Sequence, residues 1–190
     1  PSVKRIAKYL KDAPVDLIIT TGPPHSTHLI GLGLKKKFKQ LKWISDFRDP
    51  WTDIDYFHQL PLTHKSIQEH HALEKEVLQT SDAVLVVGKT MRDNYLKFNE
   101  KIYVITNGYD DGEKDLSTAL DTSFSITHVG LMNADRNAEF FWKALKELAE
   151  EIPDFARDLK VKLIGKVDDV VKQSLLYYVP NNSEIIDYVP

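Results

Sequence analysis

Short apolar runs alternate with amphipathic segments along most of the chain. The runs are rich in Val, Ile and Leu, and the longer segments repeat apolar residues at helical spacing, as at Ile67, Leu73 and Val77. This alternation predicts an α/β fold in which helices cover both faces of parallel sheets. The predicted strands are Val15–Thr20, Leu41–Ser45, Ala83–Val87, Ile102–Ile105, Phe124–Val129, Lys160–Ile164 and a strand near Glu184–Tyr188, and the predicted helices are His25–Phe38, Thr63–Gln79, Lys89–Phe98, about Asp135–Glu151 and about Val167–Leu176.

The alternation breaks between residues 106 and 123, where Gly, Asp and Ser replace the apolar repeats. Such a segment is typical of a linker. We therefore predict a first domain over 1–108, a linker over 109–123 and a second domain over 124–190. The second domain has few predicted strands, and a thin sheet would expose unpaired edges, so we expect it to be truncated.

Composition excludes several classes of protein. The chain has 190 residues, 42% of them hydrophobic, a formal net charge of -3 and no cysteine. A disulfide scaffold and a cysteine-ligated metal are therefore excluded, and the charge gives no overall attraction to nucleic acid. No apolar run approaches the roughly 20 residues needed to span a bilayer. These features fit a reducing cytoplasm.

Ligands of open α/β sheets bind where the strands end. The first such loop, "TTGPPHSTH", places His25 at the start of a predicted helix, where free amides suit a phosphate or carboxylate. The alternative is that Ser26 or Thr27 merely caps the helix. We name His25 as a ligand-binding candidate.

The next loop, in "WISDFRDPWTD", contains Asp46, Arg48 and Asp49. These charges must pair or face water. One interpretation is a structural knot in which Arg48 bridges the two carboxylates. The other is the wall of a ligand cleft. The two interpretations are compatible.

The predicted second domain has a similar rim. Gly130 follows one strand, Arg136 opens the next predicted helix, and Gly165 and Lys166 follow the next strand. A glycine turn with a cation at a helix start is a plausible seat for a diphosphate.

Three other motifs give weaker evidence about function. Gly88-Lys89-Thr90 resembles the end of a P-loop, but Ala83 stands where that motif needs glycine. His70, His71 and Glu74 fit a solvated helix face better than a metal site. The lysines at 35, 36, 37 and 39 complement a helix dipole, with contact to an anionic membrane as the minor alternative.

Several stretches together resemble retaining glycosyltransferases of the two-Rossmann-domain type (GT-B), specifically the family 4 group. They are "DLIITTGPPHSTHLIGLGL", "WISDFRDPWTD", "LEKEVLQTSDAVLVVGKTMRDNY", "VITNGYD" and "ITHVGLMNADRNAEFFWKAL" followed by "VKLIGK", in the order found in that family. The resemblance implies two Rossmann-like doubly wound domains facing a cleft, both incomplete in this chain.

It further implies sugar transfer from a nucleotide-sugar donor to a polysaccharide or glycolipid acceptor, with retention of configuration and without a metal or other cofactor. The acceptor-side candidates are His25, Asp46, Arg48 and Asp49, the donor-side candidates are Gly130, Asn133, Arg136, Gly165 and Lys166, and no catalytic residue is assigned. We accordingly expect a bacterial protein that lies in the cytoplasm and acts in the synthesis of the cell envelope. Peripheral contact with a membrane stays open.

The chain departs from the family pattern in three places. Leu131 stands where the donor-binding Arg is usual, while Arg136 matches the usual Lys position. The glycine-rich loop of the first domain would precede residue 1, and the Glu-x7-Glu motif would follow residue 190. We therefore expect little transferase activity from this chain alone.

Two other functions stay open. A nucleotide-sugar 2-epimerase shares the architecture, although "DFRDPW" with "TNGYD" argues against it. A non-catalytic scaffold is the other, and the loss of a phosphate-binding cation at Leu131 favours it.

Overall fold

The computed structural model describes residues 1–110 and 119–187. The chain divides into two compact units, Pro1–Lys114 and Asp115–Pro190. Each unit is α/β and contains a single parallel sheet among the described residues. No helix within these ranges is long and apolar enough to cross a membrane.

The first unit orders its strands as they occur in the chain, β1-β2-β3-β4. Parallel registry aligns Thr20 with Ser45 and then with Val84. Its elements are α1 (Ser2–Asp12), β1 (Leu17–Gly22), α2 (Ser26–Lys37), β2 (Lys42–Phe47), a 3-10 turn (Phe57–Gln59), α3 (His64–Thr80), β3 (Ala83–Val86), α4 (Lys89–Tyr95) and β4 (Ile102–Val104).

One face of this sheet forms the core. Trp43 and Phe47 of β2 are fully buried against residues of α2, α3 and α4. On the opposite face, Leu17, Ile19 and Tyr103 are 44%, 58% and 55% exposed. Side chains of a strand alternate between faces, so the residues at 42, 44 and 46 share that exposed face.

The second unit has a three-stranded parallel sheet in the order β5-β6-β7. Its core is formed by Trp142 and Leu145 from one helix, Val171 and Leu175 from another, and the inward side chains of β6. Its elements are β5 (Phe124–Val129), a 3-10 turn (Ala134–Arg136), α5 (Glu139–Glu151), α6 (Pro153–Asp158), β6 (Leu159–Ile164), α7 (Asp169–Tyr178) and β7 (Ser183–Ile186).

The structure corrects several predicted bounds. α5 begins at Glu139 and not near Asp135, because residues 134–136 form a separate 3-10 turn and Asn137 accepts a bond from the Trp142 indole. α1 and α6 were not predicted, although Val3, Ile6, Ala7 and Leu10 have helical spacing. Residues 111–118 of the predicted linker, and 188–190 at the end of the chain, lie outside the described residues.

Candidate functional site

The last residue of β1, Gly22, must be a glycine because two histidines pack against it. A Cβ atom added at Gly22 would lie 2.7 Å from Nε2 of His28 and 3.0 Å from Nδ1 of His25. Real Cβ contacts shorter than 3.0 Å essentially do not occur, so the His28 imidazole can pack this close to the backbone only because Gly22 has no side chain. The turn thereby fixes where both histidines lie.

His25 is half-buried and stacks on aromatic rings. Its ring lies 5.4 Å from that of Trp51 at an interplanar angle of 12°, and 5.8 Å from that of Phe47. Burial lowers the pKa of His25 below its usual range, and the Glu74 carboxylate, the Pro50 carbonyl and the Asp49 carboxylate oppose that shift. The imidazole is therefore a neutral hydrogen-bonding group at pH 7.

The capping alternative at this turn is wrong. α2 begins at Ser26 with His25 in the N-cap position, and no side chain caps the helix. Nδ1 of His25 also has no hydrogen-bond partner in the described part of the chain. The amides of Thr27 and His28 donate instead to the carbonyls of Pro24 and His25, each at 3.0 Å, so these two amides are not free to bind an anion as the sequence predicted.

His28 packs against Gly22 from the interior of the first unit. It is fully buried, and its Nδ1 lies 2.9 Å from the hydroxyl of Thr20, which also accepts a bond from the Trp43 indole. Burial, followed by the neighbouring His25, lowers the pKa of His28 to about 4. Sequence reasoning did not single out His28.

The charged loop after β2 does not form the predicted knot. Asp46 lies within β2 on the half-exposed face of the sheet, and both Arg48 and Asp49 are exposed. Within the described ranges, Arg48 makes no ion pair with either carboxylate. Its Nη2 donates instead to Oδ1 of Asn107 at 2.9 Å. The contact joins two stretches that are 59 residues apart, "DFRDPW" and "TNGYD".

A buried carboxylate stabilises the loop that carries Trp51. Glu74 is 6% exposed and accepts bonds from the Thr52 hydroxyl at 2.5 Å, the Thr52 amide at 3.3 Å and the Tyr95 hydroxyl at 2.6 Å. Burial and then this carboxylate raise the pKa of Tyr95. The network places Trp51 against His25.

The prediction of a solvated face at 70–74 is therefore wrong for two residues. Glu74 is buried, and half-buried His70 accepts a bond at 3.0 Å from the Trp51 indole. Only His71 of this group is exposed. Buried residues Val77 and Leu78 share this helix face at i+3 and i+4 from Glu74, which is the signal that could have revealed it.

A cavity of about 280 Å³ lies beside His25 within the first unit. Its walls come from the Pro-Pro-His turn, from the loop after Trp51 and from α3. The lining residues are Pro23, Pro24, His25, Ser26, Leu29, Trp51, Ile54, Tyr56, Phe57, Leu60, His70 and Leu73. Neutral polar groups beside apolar walls are typical of a small-molecule site.

The second unit brings two glycines together at the ends of adjacent strands. Gly130 and Gly165 have φ angles of +127° and +118°. A Cβ at Gly165 would lie 2.6 Å from the carbonyl oxygen of Gly130, whereas nothing lies within 4 Å of a Cβ at Gly130. The backbone at Gly130 therefore borders open space.

The remaining donor-side candidates differ in exposure and in hydrogen bonding. Lys166 is exposed and its carbonyl accepts a bond from Met132. Oδ1 of Asn133 is buried without a partner among the described residues. Arg136 lies in the 3-10 turn and does not open α5. Leu131 is 54% exposed on the same rim.

Carboxylates also stand near this rim. Asp168 precedes α7 and accepts a bond from the Ala134 amide at 2.9 Å, while Asp169 and Glu139 lie in the first turns of α7 and α5. Negative charge at a helix start disfavours an anion there. An anion bound here would depend on the glycine backbone and the two cations. In residues 1–110 and 119–187, no group of three or more metal-ligating side chains is arranged to hold a metal ion.

Neither a protein-family model nor a curated protein sequence matches the chain. Solved structures do. TarM matches with a TM-score of 0.65 at 12% identity, over 98% of this chain and 36% of that one. A variant of S. aureus TarM in complex with fondaparinux, α-GlcNAc-glycerol and UDP matches at 0.61 and 13% identity, with the same shares.

Two further structures extend the comparison. A glycosyltransferase from Rickettsia africae matches at 0.58 and 15% identity, over 99% of this chain and 50% of that one. A putative UDP-N-acetylglucosamine 2-epimerase from Listeria monocytogenes matches at 0.52 and 10% identity, over 100% and 51%. The chain spans between about a third and a half of the length of these solved chains.

These likenesses establish the fold. The chain is α/β with parallel sheets and matches the Rossmann-like units of GT-B proteins, covering part of that fold. The structures it resembles are those of glycosyltransferases and of sugar-nucleotide epimerases.

Proposed function

We propose that this chain is part of a glycosyltransferase that moves a sugar from a nucleotide-sugar donor to a saccharide or lipid-linked acceptor, with retention of configuration. The observation that carries the proposal is the glycine pair at the ends of β5 and β6. Both residues adopt φ values that other side chains rarely adopt, and the backbone at Gly130 is open. Such a turn lets a diphosphate approach the main chain closely.

In this proposal the donor diphosphate lies over Gly130 and Gly165. Lys166 and Arg136 supply positive charge, and Asn133 supplies a further polar group. UDP is the nucleotide to try first, because UDP is bound in the TarM complex.

The acceptor would bind in the first unit beside His25. The His25 ring borders the cavity, and the aromatic walls that it forms with Trp51 suit the apolar face of a sugar ring. Arg48 and Asp49 lie on the same loop as Trp51 and would contact the polar end of the acceptor. Asp46 faces the exposed side of the sheet and is the weakest of the four candidates.

The proposal includes no metal and no other cofactor, since the nucleotide sugar is itself the substrate. It places the protein in the cytoplasm of a bacterium, in the synthesis of a cell-envelope polysaccharide or glycolipid. It assigns no catalytic residue.

An epimerase acting on a nucleotide sugar is the second candidate, and the Listeria likeness favours it. The same glycine pair would serve either reaction. The difference lies in the fate of the sugar, which leaves the nucleotide in transfer and stays attached in epimerisation.

The test uses the full-length protein that contains this chain, incubated with a panel of UDP-sugars with and without saccharide and lipid-linked acceptors. Transfer predicts release of UDP that depends on an acceptor, and NMR of the product predicts an unchanged anomeric configuration. A sugar changed at C2 while still attached to UDP would establish the epimerase. If none of these nucleotide sugars binds or reacts, a non-catalytic role replaces both enzymes.

A further inference from the structure

Another cavity, of about 350 Å³, lies in the second unit at the end of the sheet opposite the glycine pair. One of its walls is the turn at 180–182, which directly precedes the first residue of β7. Gly130 and Gly165, by contrast, directly follow the last residues of β5 and β6. Parallel strands all begin at one end of their sheet and finish at the other, so this cavity is separate from the proposed donor site. We call it the tyrosine cavity.

Hydrogen bonds hold the wall at 180–182 in place. Nδ2 of Asn182 donates to the carbonyl oxygens of Ala156 and Leu159, at 2.8 and 2.9 Å. The backbone carbonyl of Asn182 accepts a bond from the Val161 amide at 2.7 Å. The turn is thereby tied to α6 and β6, so a ligand would find this wall already formed and little entropy would be lost in ordering it.

An exposed aromatic ring stands at the tyrosine cavity. Tyr177 is 72% exposed, although a ring of that size gains free energy by burial. Tyr178 packs against it edge to face, with ring centroids 4.9 Å apart, and the Lys146 ammonium lies 5.8 Å from the Tyr177 centroid. The Tyr178 hydroxyl donates to Oε1 of Glu139 at 3.1 Å, which fixes that second ring. The Tyr177 ring is therefore held in a defined orientation while most of its surface stays open to a ligand.

The charges that line the tyrosine cavity cancel. Among the described residues, the lining contains one cation, Lys146, and one carboxylate, Glu150, which lie one turn apart on α5. Their charged atoms are 3.8 Å apart. A phosphate or an ammonium ligand would find no uncompensated opposite charge there and would lose part of its hydration. The cavity therefore favours a neutral ligand.

The other lining groups favour a ligand that is rich in hydroxyls. The side-chain amide of exposed Asn181 both donates and accepts hydrogen bonds, as a hydroxyl does, and Oδ1 of Asn182 is a further acceptor. Ala149 and Ala156 add small apolar surfaces to the lining. A sugar ring has hydroxyls at its edge and apolar C–H groups on its faces, and an aromatic ring such as that of Tyr177 packs well against such a face. A saccharide thus matches both kinds of group.

We propose that the tyrosine cavity binds a neutral saccharide chain, with one sugar ring packed on Tyr177 and its hydroxyls bonded to Asn181 and Asn182. The chain is held at the end of the second unit that lies away from the glycine pair. No residue of this cavity is a candidate for binding the donor or the acceptor in the proposed transfer. The proposal is therefore independent of the proposed function, and its failure would leave that function untouched.

The test is NMR titration of the ¹⁵N-labelled whole chain with a panel of neutral oligosaccharides. The panel contains oligomers of α-linked glucose, β-linked glucose, N-acetylglucosamine, mannose and galactose. We expect at least one of them to give saturable shifts of the Asn181 and Asn182 amides at up to millimolar concentrations, where weak ligands bind. UDP, whose proposed site lies at the other end of the sheet, should leave these amides unchanged.

Variants of two exposed tyrosines distinguish this site from unspecific contact with exposed rings. Tyr177→Ala removes the ring and should weaken binding of the same oligosaccharide at least about tenfold. Tyr9→Ala is the matched control, because Tyr9 is 65% exposed, lies in the first unit and does not line the cavity. We expect it to change the dissociation constant less than about twofold. Tyr177→Phe keeps the ring and should bind within about threefold of the unaltered chain.

Asn181→Ala covers the case in which Tyr177→Ala fails to fold, because an exposed turn residue can be truncated without loss of packing. It should weaken binding about threefold or more through the lost hydrogen bonds. Absence of shifts at Asn181 and Asn182 with every member of the panel up to about 10 mM would overturn the proposal. Equal losses in the Tyr177→Ala and Tyr9→Ala variants would also overturn it, and so would equal shifts of these amides with UDP, because the cavity would then bind an anion.

Discussion

Replacing Glu74 by alanine should destabilise the first unit much more than replacing Glu76, which lies two residues further along the same helix, by alanine. Glu74 is 6% exposed and accepts three hydrogen bonds, from the Tyr95 hydroxyl and from both polar groups of Thr52. Glu76 lies on the same helix, but its side chain is 44% exposed and forms one ion pair with Lys36. The pair of variants therefore changes the same residue type in two environments.

The magnitude follows from the donors left behind. The hydroxyl of Thr52 can rotate toward another acceptor, but the proton of the Tyr95 hydroxyl and the amide proton of Thr52 would lose the acceptor that Glu74 provides. Each such donor costs about 1 to 3 kcal/mol, and removing the carboxylate recovers part of its own desolvation cost. We expect Glu74→Ala to lower the free energy of unfolding by about 3 kcal/mol, and Glu76→Ala by about 0 to 1 kcal/mol.

Native-state hydrogen exchange read by mass spectrometry suits a chain with two units, because peptides report on each separately. In Glu74→Ala, amides of β2 and α3 should exchange more than about a hundredfold faster, while those of β6 stay unchanged. Equal exchange of β2 in the Glu74 and Glu76 variants would refute the assignment of Glu74 as the support of the Trp51 loop.

Three further predictions concern glycine, histidine and arginine positions. Gly165→Ala should destabilise the second unit by more than Gly130→Ala, because both changes strain the backbone by about 1 to 3 kcal/mol and only the change at Gly165 adds a 2.6 Å contact. Gly108→Ala has neither defect and should leave the free energy of unfolding unchanged, as measured by urea unfolding monitored through hydrogen exchange. The pKa of His28 is about 4 in the folded chain and 6.5 in the unfolded chain, so the unfolded chain binds the proton at the higher pH and the free energy of unfolding falls by about 3 kcal/mol as pH drops from about 6.5 to about 4. A urea midpoint that stays constant over that pH range would contradict this prediction. Arg48→Ala in the full-length protein should reduce transfer at least about tenfold with a stability loss below about 1 kcal/mol, because the side chain is exposed; a large drop in melting temperature with normal turnover would show a purely structural role.

The alternation of apolar runs predicted the parallel α/β architecture because strand and helix periods differ strongly in sequence. Most strand positions agree within about two residues. The start of α5 was placed too early, since a 3-10 turn and a helix share similar local preferences. α1 was missed although its apolar spacing is regular.

The site was predicted only in part. The position of His25 followed from the rule that ligands bind where strands end, but the stack on Trp51 depends on a carboxylate from α3. The bond from Arg48 to Asn107 joins residues that no local pattern connects, and so the sequence suggested Asp46 and Asp49 as nearer partners. Burial of Glu74 could have been predicted from the periodicity of α3, because Val77 and Leu78 lie one turn further along the same face.

The most direct test of the nucleotide-sugar proposal is titration of UDP into the ¹⁵N-labelled chain, observed through its glycine amides. The chain has eight glycines, so few signals need assignment. We predict saturable shifts at Gly130 and Gly165 and none at Gly31 in the first unit. Shifts confined to other residues, or none up to the millimolar concentrations at which weak ligands bind, would contradict a diphosphate site on this glycine pair.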